Sequence, residues 1–173
     1  MRLFLLLIVF GCRSVLAQGG MPPPAATLPA FRFEVVGKGF DVVGKGFEAV
    51  RHGMLTNGDL PNGKLLLFVF VDPDCDHCQQ AVARMDAEYR SFEKVALYFI
   101  SAADPAKIAA FAKKYGPRLK GLWLRDAEYR YTVQFRPVRY PALFLYSRDK
   151  KLLDYEDNEG TIFRIVRSIG RNG

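Results

Sequence analysis

The chain has 173 residues, half of them apolar, and a formal net charge of +7 at pH 7. That length suits one domain with its own core. The basic residues are scattered, with no basic cluster interleaved with aromatics, so the charge reads as a solvated surface and nucleic acid is not expected as a partner.

Met1 to Ala17 reads as a secretory signal peptide. Arg2 supplies the positive end, Leu3 to Phe10 is an apolar core too short to span a bilayer, and Val15-Leu16-Ala17 is an acceptable cleavage site. An alternative takes Val9-Phe10-Gly11-Cys12 as a lipoprotein signal with Cys12 lipidated, a pattern that Phe10 fits poorly. Either route places the domain outside the cytoplasm, periplasmic or secreted. It is a membrane-anchored lipoprotein only if Cys12 carries lipid. No other segment is long and apolar enough to cross a membrane. Residues 18–30, rich in Gly, Pro and Ala, read as a flexible tether.

Residues 31–59 read as a β-rich extension. They hold a tandem repeat, EVVGKGF at 34–40 and DVVGKGF at 41–47, with a weaker third copy, EAVRHGM, at 48–54. The glycines disfavour helix and the Val-Val pairs favour strand, so Gly37-Lys38-Gly39 and Gly44-Lys45-Gly46 are expected as hairpin turns. A phosphate-binding loop fails its context test, because no helix follows and the Walker spacing is missing.

Residues 60–173 form the main domain. TNGDLPNGK at 56–64 is turn-rich and leads into LLLFVFVDPDCDHC at 65–78. Leu65 to Val71 reads as a strand buried on both faces. Pro73 lacks an N–H and holds Asp72 extended, which stops the strand. Cys75 and Cys78 then open a helix whose inward face is Cys78, Ala81, Val82, Met85 and Tyr89. Two cysteines three apart at a helix start face each other across one turn. That geometry permits a strained, reducible disulfide, and the partial positive charge of the helix N-terminus favours a thiolate at Cys75. If Cys12 leaves with the signal or carries lipid, Cys75 and Cys78 are the cysteines that remain. A bridge closing so small a loop is a poor staple, so the pair is better explained by chemistry than by stability.

Val95 to Ser101 is a second buried strand. Asp104 at N-cap and Pro105 at N1 start a helix with Ile108, Phe111, Ala112 and Tyr115 inward, ended by Gly116-Pro117. Leu122 to Leu124 is a short strand, and 126–135 holds a helical turn. Pro141 opens a strand over Ala142 to Tyr146. Ser147 to Lys150 turns, and Lys151 to Tyr155 returns as its partner. Glu159 to Ile169 is a closing helix with Ile162, Ile165, Val166 and Ile169 inward. The order βαβ, connector, ββα gives an α/β fold with a central mixed sheet and helices on both faces.

Three segments carry a resemblance: FVFVDPDCDHC at 68–78, KIAAFAKKYG at 107–116 and TVQFRPVRYPALFLYSRDKKL at 132–152. From about Leu60 to Ile169 the chain resembles the thioredoxin superfamily, and within it the secreted bacterial TlpA/ResA-like thiol–disulfide oxidoreductases. The resemblance implies a thioredoxin-like fold in which Cys75 attacks a substrate disulfide and Cys78 resolves the mixed disulfide. It implies a cis-proline at Pro141, preceded by Tyr140, whose peptide offers backbone hydrogen bonds to the partner chain. Asp74 stands where thioredoxins carry a Trp and so faces the substrate with Tyr140 and Pro141. His77 sits where it could meet the Cys75 sulfur and, if protonated, stabilise the thiolate. Asp72, Asp74 and Asp76 oppose that effect with negative charge. The buried acid of thioredoxins is Val69 here, and the Glu that ResA-like members often carry past the second cysteine is Ala81. The expected partners are protein thiols and disulfides and a membrane or periplasmic electron donor. No cofactor beyond the Cys75–Cys78 disulfide is expected. The alternative is a copper- or zinc-delivery module using both cysteines with His77 or His52.

Overall fold

The computed structural model describes residues 23–36 and 53–173. The leader, Cys12, His52 and both GKG turns of the repeat lie outside the described residues.

Seven strands form one sheet: β1 (Arg32–Val35), β2 (Met54–Thr56), β3 (Leu65–Phe70), β4 (Val95–Ser101), β5 (Leu122–Arg125), β6 (Ala142–Tyr146) and β7 (Leu152–Glu156). Their spatial order is β2-β1-β5-β4-β3-β6-β7. The strands β3, β4 and β5 run parallel, and β6, β7, β1 and β2 are added antiparallel. The helices are α1 (Asp76–Ala87), α2 (Pro105–Tyr115), α3 (Tyr131–Gln134) and α4 (Ile162–Asn172). This is the mixed α/β architecture that the sequence implies. Among the described residues no helix is long and apolar enough to cross a membrane.

The six residues of β3 and the seven of β4 are all buried, because each strand has packed layers on both faces. Alternation divides them between two cores. Leu65, Leu67, Val69 and Val71 face one side, where α1, α2 and α4 contribute Val82, Met85, Phe111, Ile165 and Ile169. Leu66, Phe68 and Phe70 face the other, an aromatic layer with Phe31, Phe33, Tyr98, Phe135 and Phe144. Full burial of each such side chain contributes about 1.5–3 kcal/mol. The helices are thus unequally shared. The helices of the two parallel crossovers, α1 and α2, lie with α4 on one face, and the other is covered by α3 and the N-terminal segment.

That segment corrects one expectation. Residues 23–30 are docked on the domain and do not hang free as a tether. Leu152 N–H donates to the Ala26 carbonyl, Leu28 N–H to that of Lys150, and Tyr146 Oη to that of Ala25. Ala25 and Leu28 are buried, so apolar burial offsets the entropy that the Gly/Pro-rich composition led us to weigh alone. The β-rich extension contributes the antiparallel pair β1–β2, and β1 joins it to the main sheet by pairing with β5 through Glu34–Arg125 and Val35–Leu124.

Candidate active site

Parallel strands deliver their following loops to one end of a sheet, and an antiparallel neighbour starts there. At that end lie the loop after β3 with Cys75, Ser101 to Asp104 after β4, Tyr129 and Tyr131 after β5, and Tyr140-Pro141 before β6. Asp72 shapes the first loop. Its Oδ1 accepts from Asp74 N–H at 2.9 Å, an Asx turn that brings the chain back into α1.

Cys75 is the N-cap of α1, in extended conformation, and its sulfur is partly buried. Cys78, one turn on, is fully buried. Both are free thiols that share a hydrogen bond. Burial pushes the Cys78 thiol far up. The Asp72 N–H, 3.4 Å from its sulfur, pulls the other way, while the Cys75 hydrogen bond and the charges of Cys75 and Asp72 add to the rise. The Tyr140–Pro141 peptide is cis, and Tyr140 packs against the same core as Cys75. The site therefore brings Cys75, Cys78, Asp74, Tyr140 and Pro141 to one end of the sheet.

His77 is placed differently from the expectation. Its Nδ1 lies 3.1 Å from Glu159 Oε1, and the ring is directed to the turn before α4. His77 is the second residue of α1, and its side chain reaches across to the turn before α4. Glu159 has its carboxyl held below the usual range, first by its own backbone N–H and then by His77 and Arg84. Among the described residues no group of three or more His, Cys, Asp and Glu side chains is placed to hold a metal ion.

Beside the dithiol lies a cleft of about 330 Å³ lined by Asp72, Asp74, Asp104, Lys107, Tyr131 and Tyr140. Lys107 Nζ lies 2.7 Å from Asp74 Oδ2 and bridges its rim. That hydrogen bond, followed by the Asp74 charge, holds the Lys107 ammonium above its ordinary pKa. The Tyr131 and Tyr140 hydroxyls share a hydrogen bond of 3.1 Å, and burial raises both phenols, keeping them protonated. Tyr129 forms the outer lip, 57% exposed and in left-handed backbone conformation at φ 55°. That conformation is uncommon for an aromatic residue. Sequence reasoning missed Lys107, Tyr131 and Glu159. Only the density of tyrosines in YRYTVQFRPVRY at 129–140 hinted at the tyrosine pair.

A dithiol on the first turn of a helix, a cis-proline across from it and a mixed sheet between helices define a protein of the thioredoxin superfamily. More particularly, the sequence profile of the AhpC/TSA family matches residues 46–154, and the chain belongs to that family. Solved structures agree in fold. Thioredoxin peroxidase I of Plasmodium yoelii is 17% identical, with a TM-score of 0.64 over 86% of this chain and 90% of its own. A thioredoxin-like protein from Porphyromonas gingivalis is 17% identical, with a TM-score of 0.60 over 87% and 96%. A peroxiredoxin-like protein from Aquifex aeolicus is 13% identical, with a TM-score of 0.61 over 88% and 91%. No curated protein matches the chain.

Proposed function

We propose that the protein is an extracytoplasmic thiol–disulfide oxidoreductase that exchanges electrons with protein clients through Cys75 and Cys78. The observation that carries this reading is the asymmetry of the two sulfurs. Cys75 is partly exposed at the start of α1, and Cys78 is fully buried one turn behind it. An incoming disulfide meets Cys75 first. The Cys75 thiolate attacks, a mixed disulfide forms, and the client's first sulfur leaves as thiolate. Cys78 then attacks Cys75, closing the intramolecular disulfide and releasing the second client sulfur. Run backwards, the same steps oxidise a client dithiol.

The backbone around Tyr140 and Pro141 forms the opposite wall and supports a client segment lying extended across the site. Asp74 and Lys107 stand at its rim. The location outside the cytoplasm rests on the leader-like Met1 to Ala17, and with it the pairing to a membrane or periplasmic electron donor. Soluble export fits that leader, with anchoring through Cys12 as the alternative.

Oxidised glutathione offered to Cys78→Ser tests the order of attack. A stable glutathione adduct on Cys75 is expected by mass, reversible by dithiothreitol. Cys75→Ser is expected to form none under the same conditions. An adduct forming equally well on Cys78 in Cys75→Ser would contradict the assignment.

A further inference from the structure

We propose that Asp72 is the proton acceptor for Cys78 when the mixed disulfide on Cys75 is resolved, which rests on the thiol–disulfide exchange reading above. The resolving thiol is closed off from bulk solvent and must lose a proton before it can attack. The two places where a carboxylate would serve such a thiol are closed. Val69 and Ala81 are apolar and fully buried. None of the other acids near the site has a contact to the Cys78 sulfur among its hydrogen bonds: Asp76 is exposed on the first turn of α1, and Asp126 accepts from Tyr131 N–H. Asp74 is bridged to Lys107 and Glu159 to His77. Glu156 is buried on the same sheet face, in the cross-strand row of Leu143 and Val69, and lies 2.8 Å from Arg164 Nε. Asp104 stands at the N-cap position of α2 without a side-chain cap bond, and its charge acts on Lys107. Tyr131 and Tyr140 hold their protons and are donors.

Asp72 stands apart from these. Its own N–H donates to the Cys78 sulfur at 3.4 Å, and Asp72 and Tyr140 line the same cleft. One carboxylate oxygen accepts from Asp74 N–H, and a carboxylate has further lone pairs to take a proton. The charge on Asp72 is felt at both Cys78 and Tyr140. In the step proposed, the Cys78 S–H proton passes to the Asp72 carboxylate, directly or through one water. The Cys78–Cys75 bond forms, and the bond from Cys75 to the client sulfur breaks. The electron pair leaves with the client thiolate. The two protein sulfurs are oxidised by two electrons, the client disulfide is reduced, and the proton held on Asp72 returns to solvent or to the departing thiolate.

A purely electrostatic role for Asp72 makes the opposite forecast. Removing its charge would ease ionisation of Cys78 and speed resolution, whereas removing a base slows it. Asp72→Asn separates the two, since its amide oxygen can still accept from Asp74 N–H and keep the turn. The probe is dithiodipyridine, a neutral disulfide that releases one coloured thione when Cys75 attacks and a second when Cys78 resolves. In the reduced chain with Cys12→Ser throughout, which leaves Cys75 and Cys78 as its two thiols, Asp72→Asn is expected to leave the first phase within about twofold and to slow the second about a hundredfold at pH 7. The deficit should close as pH rises and hydroxide takes over. Asp149→Asn, the same charge change in the exposed turn between β6 and β7, should leave the second phase at the wild-type rate, and Asp72→Glu should restore part of it. An unchanged or faster second phase in Asp72→Asn, in protein with wild-type circular dichroism, overturns the assignment while the exchange reading stands. A wild-type chain that releases no second thione overturns both.

Discussion

His77 Nδ1 lies 3.1 Å from Glu159 Oε1, a contact that ties the first turn of α1 to the turn preceding α4. The two helices that frame the dithiol are thus clipped together a few residues from Cys75. The pair is solvent-facing, with the His77 side chain 66% exposed, so its stabilising effect is screened and amounts to about 0–1 kcal/mol.

The Glu159 carboxyl is depressed by its own backbone N–H before His77 adds to it. A carboxyl lowered on folding stabilises the fold above its unfolded value, about 4.3, and loses that effect as pH falls through its folded value. In His77→Ala we expect the Glu159 carboxyl to remain below the ordinary range, read by carbon-detected NMR titration of the side chain. A return to the ordinary value would show that His77 was the main cause.

Cys78 gives the reduced protein an alkaline weakness. Its thiol is raised on folding, chiefly by burial. A group raised in this way stabilises fully below the unfolded thiol value, about 8.5, and the effect is lost as pH climbs above it. The reduced form should therefore lose up to about 1.4 kcal/mol per pH unit beyond about pH 8.5. The disulfide form has no thiol at Cys78 and should hold level until the buried phenols of Tyr131 and Tyr146, raised by the same cause, begin to contribute above about pH 10. Urea midpoints of both forms at pH 7 and about pH 9.5 check this. Parallel behaviour of the two forms would contradict it.

Phe135 is the hub of the aromatic layer. Its ring centroid lies 4.8 Å from that of Phe70, 5.3 Å from Phe68 and 6.2 Å from Phe33. Phe135→Ala should destabilise by about 3–5 kcal/mol. Because Ala25 N–H donates to the Phe135 carbonyl and Phe31 packs on the ring, amide exchange should rise first over residues 23–33. A loss under about 1 kcal/mol would mean that the layer closes over the gap.

The elements nearest the dithiol were legible because each carries its own local signal. An unbroken apolar run made β3, the Asp72-Pro73 pair ended it, and the Asp104-Pro105 pair marked the start of α2. The strand after Pro141 was read from its apolar run, but the cis bond was expected only through the family resemblance, since nothing local distinguishes a cis proline. What stayed hidden depends on long-range placement. The pairing of β1 with β5 joins residues about ninety positions apart, and no propensity encodes it. The meeting of Tyr131 with Tyr140 needs α3 to be laid under the start of β6. His77 was weighed as a partner of Cys75 because the two are close in sequence, whereas its contact with Glu159 depends on where the turn before α4 is laid. Asp72 was read as turn chemistry, which it performs, while the approach of its N–H to Cys78 shows only once the loop is folded.

The central claim is that Cys75 and Cys78 cycle together between dithiol and disulfide. The most direct test equilibrates the mature domain against thiol–disulfide buffers with a chelator present, then counts free thiols by alkylation mass shift. We expect a single two-electron transition between forms with two free thiols and none, at a potential between about −270 and −120 mV. A pair that never closes under oxidising buffer, or that accumulates singly oxidised Cys75 while Cys78 stays a free thiol, would contradict the account.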